Sequence, residues 1–165
     1  MDGTDDLDQY SRIPTIEDLV TLCRNLNACQ VAYVVIGGLA VIHLGYIRAT
    51  GDIDLLVEDS SENIARIKKA LAYLPDGQVD QIADTDLTLY QVVRVSGEIT
   101  VDLIARACDV TYALAKDHIE FDEMHGIKIP FLKPAILIKT KLGIRPKDIQ
   151  DRLFLERLLD QAERK

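Results

Sequence analysis

The stretch VVIGGLAVIHLGYIRATGDIDLLVE, residues 34–58, contains the pattern that decides the fold. It continues an apolar, β-branched run over 31–36 that shows no alternation, which is typical of a central strand covered on both faces. Gly37 and Gly38 end that run, and a short helix is predicted over 38–46. The stretch therefore predicts a strand, a tight turn and a helix at the centre of a sheet.

Two carboxylates then open a second predicted strand, over 52–57. Asp52 and Asp54 are two residues apart, so their side chains point to the same face of that strand. A third acid, Asp102, lies on the polar face of a later strand-like run, EITVDLIA. Carboxylate oxygens are the ligands that Mg²⁺ prefers, and paired ions require bridging carboxylates. The spacing predicts that these acids meet at a metal site.

The residues before the acids are suited to binding phosphate. Gly37 and Gly38, at a strand-to-helix junction, allow a triphosphate to approach the backbone and the free N–H groups of the helix start. Arg48 and Thr50 add a charged donor and a hydroxyl. Each motif alone is common, since an Asp-x-Asp pair is usually a solvated strand face and a Gly-Gly pair a turn. Their order along the chain supports the prediction.

The rest of the chain predicts an α+β fold. We expect a flexible N-terminal arm over 1–12 and one domain over 13–165, with a mixed sheet flanked by helices and further helices at the C-terminus. Five further helices are predicted: one capped by Thr15, one from Ser60 or Ser61 that ends before Pro75, a short one after Asp109, one begun by Pro134 and an amphipathic one over 147–161. Two strands are predicted within 86–95 and 98–105, joined by a Ser96–Gly97 hairpin. Further β structure is predicted over 119–132.

Composition limits the partners and the compartment. The net charge is −8, with 27 acidic and 19 basic residues, so contact with nucleic acid must be local. Three cysteines without a C-x-x-C pair indicate a reducing environment. The N-terminus is acidic where a signal peptide would be basic and apolar, and no apolar run reaches the ~20 residues of a membrane span. We expect a cytoplasmic protein.

The order of glycine pair, short helix, Asp-x-Asp and distal acid resembles the DNA polymerase β-type nucleotidyltransferase superfamily. More narrowly, GGLAVIHLGYIRATGDIDLLV and the later GIKIPFLKPAILIKTKLGIRPKD are similar to bacterial nucleotidyltransferases related to the AbiEii toxins of toxin–antitoxin systems. The similarity covers about residues 31–151.

The resemblance implies a nucleotidyltransferase fold, two Mg²⁺ ions and an NTP as co-substrate. It implies metal ligands and catalytic acids at Asp52, Asp54 and Asp102, phosphate contacts at Gly37, Gly38 and Thr50, and the lysine and Lys-Asp motifs of the family at Lys141, Lys147 and Asp148. Where members of that family place a histidine directly before a glycine, Leu44 intervenes between His43 and Gly45 here, so we leave His43 out of the site.

One basic cluster stands out in this acidic chain: Lys139, Lys141, Arg145 and Lys147. It is either a solvated helix end or a contact for nucleotide or RNA, and we assign only Lys141 to nucleotide binding.

The expected reaction is attack of an acceptor hydroxyl on the α-phosphate of an NTP, with release of pyrophosphate. A tRNA or protein acceptor is favoured. Three alternatives remain open: a small-molecule acceptor of the aminoglycoside or lincosamide type, a non-catalytic, antitoxin-like subunit that only binds nucleotide, and a domain that works only beside a cognate partner protein.

Overall fold

The computed structural model describes residues 11–164, apart from the side chains at positions 76, 78 and 81. Most of the predicted arm, residues 1–10, lies outside this range. The strands are β1 Tyr33–Ile36, β2 Asp52–Val57, β3 Val92–Ser96, β4 Thr100–Ile104, β5 Arg106–Ala107, β6 Val110–Thr111, β7 Ile119–Met124 and β8 Ile127–Leu132.

Six of these strands form one mixed sheet in the order β3-β4-β2-β1-β8-β7, while β5 and β6 form a separate two-stranded sheet. In the large sheet, β1 pairs with β8 and β2 with β4 in parallel, whereas the β1–β2, β3–β4 and β7–β8 pairs are antiparallel. All four residues of β1 are buried, as predicted for a central strand. The predicted mixed-sheet α+β fold is therefore confirmed.

The helices are α1 Ile16–Ala28, α2 Gly37–His43, α3 Ser61–Leu71, α4 Asp86–Leu89, α5 Tyr112–Ala115, α6 Pro134–Leu137 and α7 Pro146–Glu163, with 3₁₀ turns at Pro75–Gln81 and Ile138–Thr140. Helix α1 begins at Thr15, the predicted N-cap, and the structure shows that Thr15 and Asp18 form a capping box in which each side chain accepts a hydrogen bond from the other's backbone N–H group. Its apolar face packs on α3 and β8. None of the described helices is long and apolar enough to cross a membrane.

The prediction for residues 86–97 was wrong in two respects. The first residues of the predicted strand form α4, in which the Asp86 carboxylate accepts a hydrogen bond from the Ala83 N–H and Leu87 turns inward. The hairpin connection has three residues, 97–99, rather than the two of Ser96–Gly97, because Ser96 pairs with Thr100. This shift changes which residues face each other across β3 and β4.

The C-terminal helix is present as predicted, but its inward side is largely polar. Its buried residues are Asp148, Asp151 and Leu155. Buried carboxylates require partners: Asp148 pairs with Arg145, and Asp151 pairs with Arg48 and Lys141.

Candidate active site

Three aspartates converge on the surface formed by β2 and β4. These strands run parallel with Asp54 directly beside Asp102, and Asp52 lies two residues earlier on the same face as Asp54. One carboxylate oxygen from each residue lies within 4.8 Å of the others. The structure therefore brings together the three acids that the sequence singled out.

This arrangement fits a hard divalent cation. Ligand oxygens around one octahedral Mg²⁺ lie about 3–4.2 Å apart, close to the spacing available here. Within residues 11–164, the aspartates form the one group of three metal-ligating side chains with this proximity. Asp52, Asp54 and Asp102 could therefore hold a metal ion with small side-chain adjustments.

Arg94 is part of this site and was missed by the sequence analysis. Its Nε donates to Asp102 Oδ1 at 2.9 Å and its Nη2 to Asp102 Oδ2 at 3.1 Å, and Nη2 also lies 3.5 Å from Asp52 Oδ2. A two-residue hairpin would place Arg94 opposite Ile99, whereas the observed register pairs it with Asp102. The error in the hairpin therefore concealed this residue.

Nearby cations neutralise only part of the negative charge of the three aspartates. The pKa of Asp54 is raised to about 7, first by burial and then by the charges of Asp102 and Asp52, against a smaller opposing effect of Lys141. Burial, followed by the Asp102 carboxyl, also raises the pKa of Asp52, while Arg94 acts against this rise. Arg94 and Lys141 thus leave an excess of negative charge on the three aspartates, which a divalent cation would neutralise.

A cavity of about 450 Å³, here called the first cavity, opens beside the acids. It is lined by residues from the start of α2, from β2 and the loop before it, from the segment that precedes α7 and from the first turn of α7: Gly38, Arg48, Thr50, Asp52, Asp54, Lys141, Arg145, Pro146, Lys147 and Asp148. Most of the predicted phosphate-binding residues therefore line one space. Gly37, Asp102 and Lys139 are not among its lining residues.

The two glycines are required by close packing. A Cβ on Gly38 would lie 2.6 Å from Thr50 Oγ1 and 2.9 Å from Arg48 Nη2. Gly37 has a φ of +70°, and a Cβ there would overlap the Asp54 carboxylate. The glycine pair therefore leaves room for the polar side chains of the site.

Two cations of the first cavity are held by a carboxylate that the sequence analysis did not single out. Asp151 is fully buried and accepts hydrogen bonds from Arg48 Nε at 2.9 Å and Nη2 at 2.8 Å. Lys141 Nζ lies 3.0 Å from the same carboxylate. The charge of Lys141 is thus buried beside an acid. The sequence signal was weak, because Asp151 reads as one more polar residue of an amphipathic helix.

A second ion pair anchors the next cation along this wall. Arg145 Nε donates to Asp148 Oδ2 at 2.9 Å, and Asp148 is itself buried. His43, in contrast, stacks on Phe131 with ring centroids 3.9 Å apart and does not line the first cavity.

Comparison with solved structures finds this architecture in another protein. A putative nucleotidyltransferase from Thermotoga maritima is similar over 88% of this chain and 92% of that chain, with 17% sequence identity and a TM-score of 0.55. No protein-family model and no curated protein matches the sequence. At this identity the similarity establishes a shared fold, so the class of fold rests on this comparison and the chemistry must be argued from the site.

Proposed function

We propose that this protein is a magnesium-dependent nucleotidyltransferase that transfers NMP from an NTP to an acceptor hydroxyl. The observation that carries the proposal is the convergence of Asp52, Asp54 and Asp102 beside a cavity with cationic walls. The fold shared with the Thermotoga maritima protein supports the same reaction class. An acidic cluster alone would not suffice, because such clusters are common; the adjoining cations make a phosphate ligand the matching partner.

The residues divide into two roles. Asp52, Asp54 and Asp102 would hold two Mg²⁺ ions, which in such sites activate the attacking hydroxyl and neutralise the departing oxygens. Arg48, Lys141, Arg145 and Lys147 line the first cavity and would bind the triphosphate. Lys147 carries no ion pair among the described residues, whereas Asp148 and Asp151 fix the positions of the other three cations.

The proposed reaction is a nucleotidyl transfer. The acceptor oxygen forms a bond to the α-phosphorus, the bond from that phosphorus to the bridging oxygen breaks, and pyrophosphate leaves. Asp102 is proposed to take the hydroxyl proton, and Arg94 orients its carboxylate through two hydrogen bonds.

For the acceptor, we propose a hydroxyl of RNA or protein. A polycationic drug would meet the same sign of charge along the walls of the first cavity, which disfavours an aminoglycoside. The net charge of −8 restricts contact with a nucleic acid to a local area.

The first test is binding. Isothermal titration calorimetry of Mg²⁺-NTPs should show binding to the wild type and none to the Asp52→Ala/Asp54→Ala double variant. Asp84→Ala, an exposed acid outside the site, is the matched control and should bind as the wild type does. Unchanged binding in the double variant would refute the site assignment.

The second test is transfer. Each α-³²P-NTP, incubated with the protein, Mg²⁺ and either total tRNA or cell lysate, should label a macromolecule in a manner that depends on Asp102. Binding without label transfer under any of these conditions would instead favour a non-catalytic nucleotide-binding subunit.

A further inference from the structure

A second cavity, of about 300 Å³, adjoins the first and has no role in the function proposed above. The two cavities share four lining residues: Asp54, Lys141, Arg145 and Asp148. A ligand bound at this common wall can therefore extend into both spaces.

The strand register places the cavities at opposite ends of Asp54. Arg48 and Thr50, which precede β2, line the first cavity, whereas Ile104, the last residue of β4, lines the second. Because β2 and β4 run parallel, these residues lie toward opposite ends of the two strands. A ligand with a phosphate at Asp54 would thus place its remaining phosphates on one side and its other half on the opposite side.

The second cavity has the chemistry of a site for a flat, mainly apolar group with a polar edge. Val92 and Ile104 are directly paired across β3 and β4, and Ile36 adds a further aliphatic side chain. Gln91 and Arg106 contribute polar groups. A nucleobase needs an apolar surface for its rings and hydrogen-bonding groups for its edge, and an amide side chain supplies both donors and an acceptor.

We infer that the second cavity binds the nucleoside of the NTP whose triphosphate occupies the first cavity, and that Gln91 contributes to the choice of base. This inference rests on the proposed function. The volume is at the lower end of the range for ligand pockets, which suits one nucleoside. Among the residues that the structure describes, Asp54 and Asp148, both shared with the first cavity, are the carboxylates that line this space, which does not suit a polycation.

The test separates the nucleoside from its phosphates. Mg²⁺-tripolyphosphate and the four Mg²⁺-NTPs are titrated calorimetrically into the wild type and Val92→Trp, which fills the second cavity from a half-exposed position on an edge strand. We expect the affinity for the best NTP to fall at least tenfold while that for tripolyphosphate stays within twofold. Leu114→Trp, at a similarly exposed position that lines neither cavity, should change neither affinity.

A second variant tests the inference even if Val92→Trp fails to fold. Gln91→Ala removes only an exposed amide and should change the order of preference among the four NTPs without changing tripolyphosphate binding. The inference is refuted if Val92→Trp folds and binds NTPs as the wild type does, if NTP and tripolyphosphate affinities fall together, or if Gln91→Ala leaves the order unchanged. A wild type that binds neither tripolyphosphate nor any NTP would instead contradict the proposed function itself.

Discussion

Asp54→Asn should stabilise the metal-free protein at pH 8. The Asp54 carboxyl has a pKa of about 7 in the folded protein, against 3.8 for the unperturbed side chain, first because of burial and then because of the charges of Asp102 and Asp52. A folded state with a raised carboxyl pKa binds more protons than the unfolded state, so stability falls as the pH rises from about 4 to about 7. Asparagine has nearly the same shape and carries no charge.

The magnitude follows from the shift. About 3 pH units correspond to roughly 4 kcal/mol at about 1.4 kcal/mol per unit. Because part of this cost is repulsion shared among the three acids, we expect about 2 kcal/mol from the single substitution. For a domain of this size, that would raise the melting temperature by about 4–8 °C at pH 8 and by about half as much at pH 5.5.

The assay is thermal unfolding followed by circular dichroism in EDTA at the two pH values. Asp84→Asn, at an exposed position, is the control and should change stability by less than about 0.5 kcal/mol. Millimolar Mg²⁺ should raise the melting temperature of the wild type more than that of Asp54→Asn, because the ion supplies the missing charge. A lower melting temperature for Asp54→Asn at pH 8, or a gain independent of pH, would refute the reasoning.

Three further substitutions test other parts of the structure. Gly37→Ala should lower the free energy of unfolding in urea by more than about 2 kcal/mol and abolish stabilisation by Mg²⁺, since the residue has positive φ and faces Asp54. Its control, Gly45→Ala, also has positive φ but open space around the Cβ, so it should lower the free energy of unfolding by only about 1 kcal/mol and keep the Mg²⁺ response. Asp151→Asn leaves two largely buried cations without their carboxylate and should lower stability by about 3–5 kcal/mol, measured by thermal melts; a loss below 1 kcal/mol would contradict the buried ion pairs. Thr15→Ala removes the capping box of α1 and should cost about 1 kcal/mol in urea unfolding, with unchanged nucleotide binding.

The local sequence pattern alone was sufficient to predict the central strand, the glycine turn and the shared face of Asp52 and Asp54. The physical reason is that strand periodicity places residues two apart on one side, whatever the rest of the chain does. The N-cap of α1 at Thr15 could also be predicted from local sequence, because Thr15 and its partner Asp18 lie within one turn. These features depend on neighbours along the chain.

The tertiary structure alone decided which distant residues complete the site. Arg94 meets Asp102 only because the hairpin has a three-residue connection, and a change of one residue in that connection would give Arg94 a different partner. Asp151 meets Arg48 across 103 positions of sequence, and this depends on where α7 packs. Spacing along the chain specifies faces and caps, whereas strand register and helix packing determine which charges neutralise each other and where the cavities form.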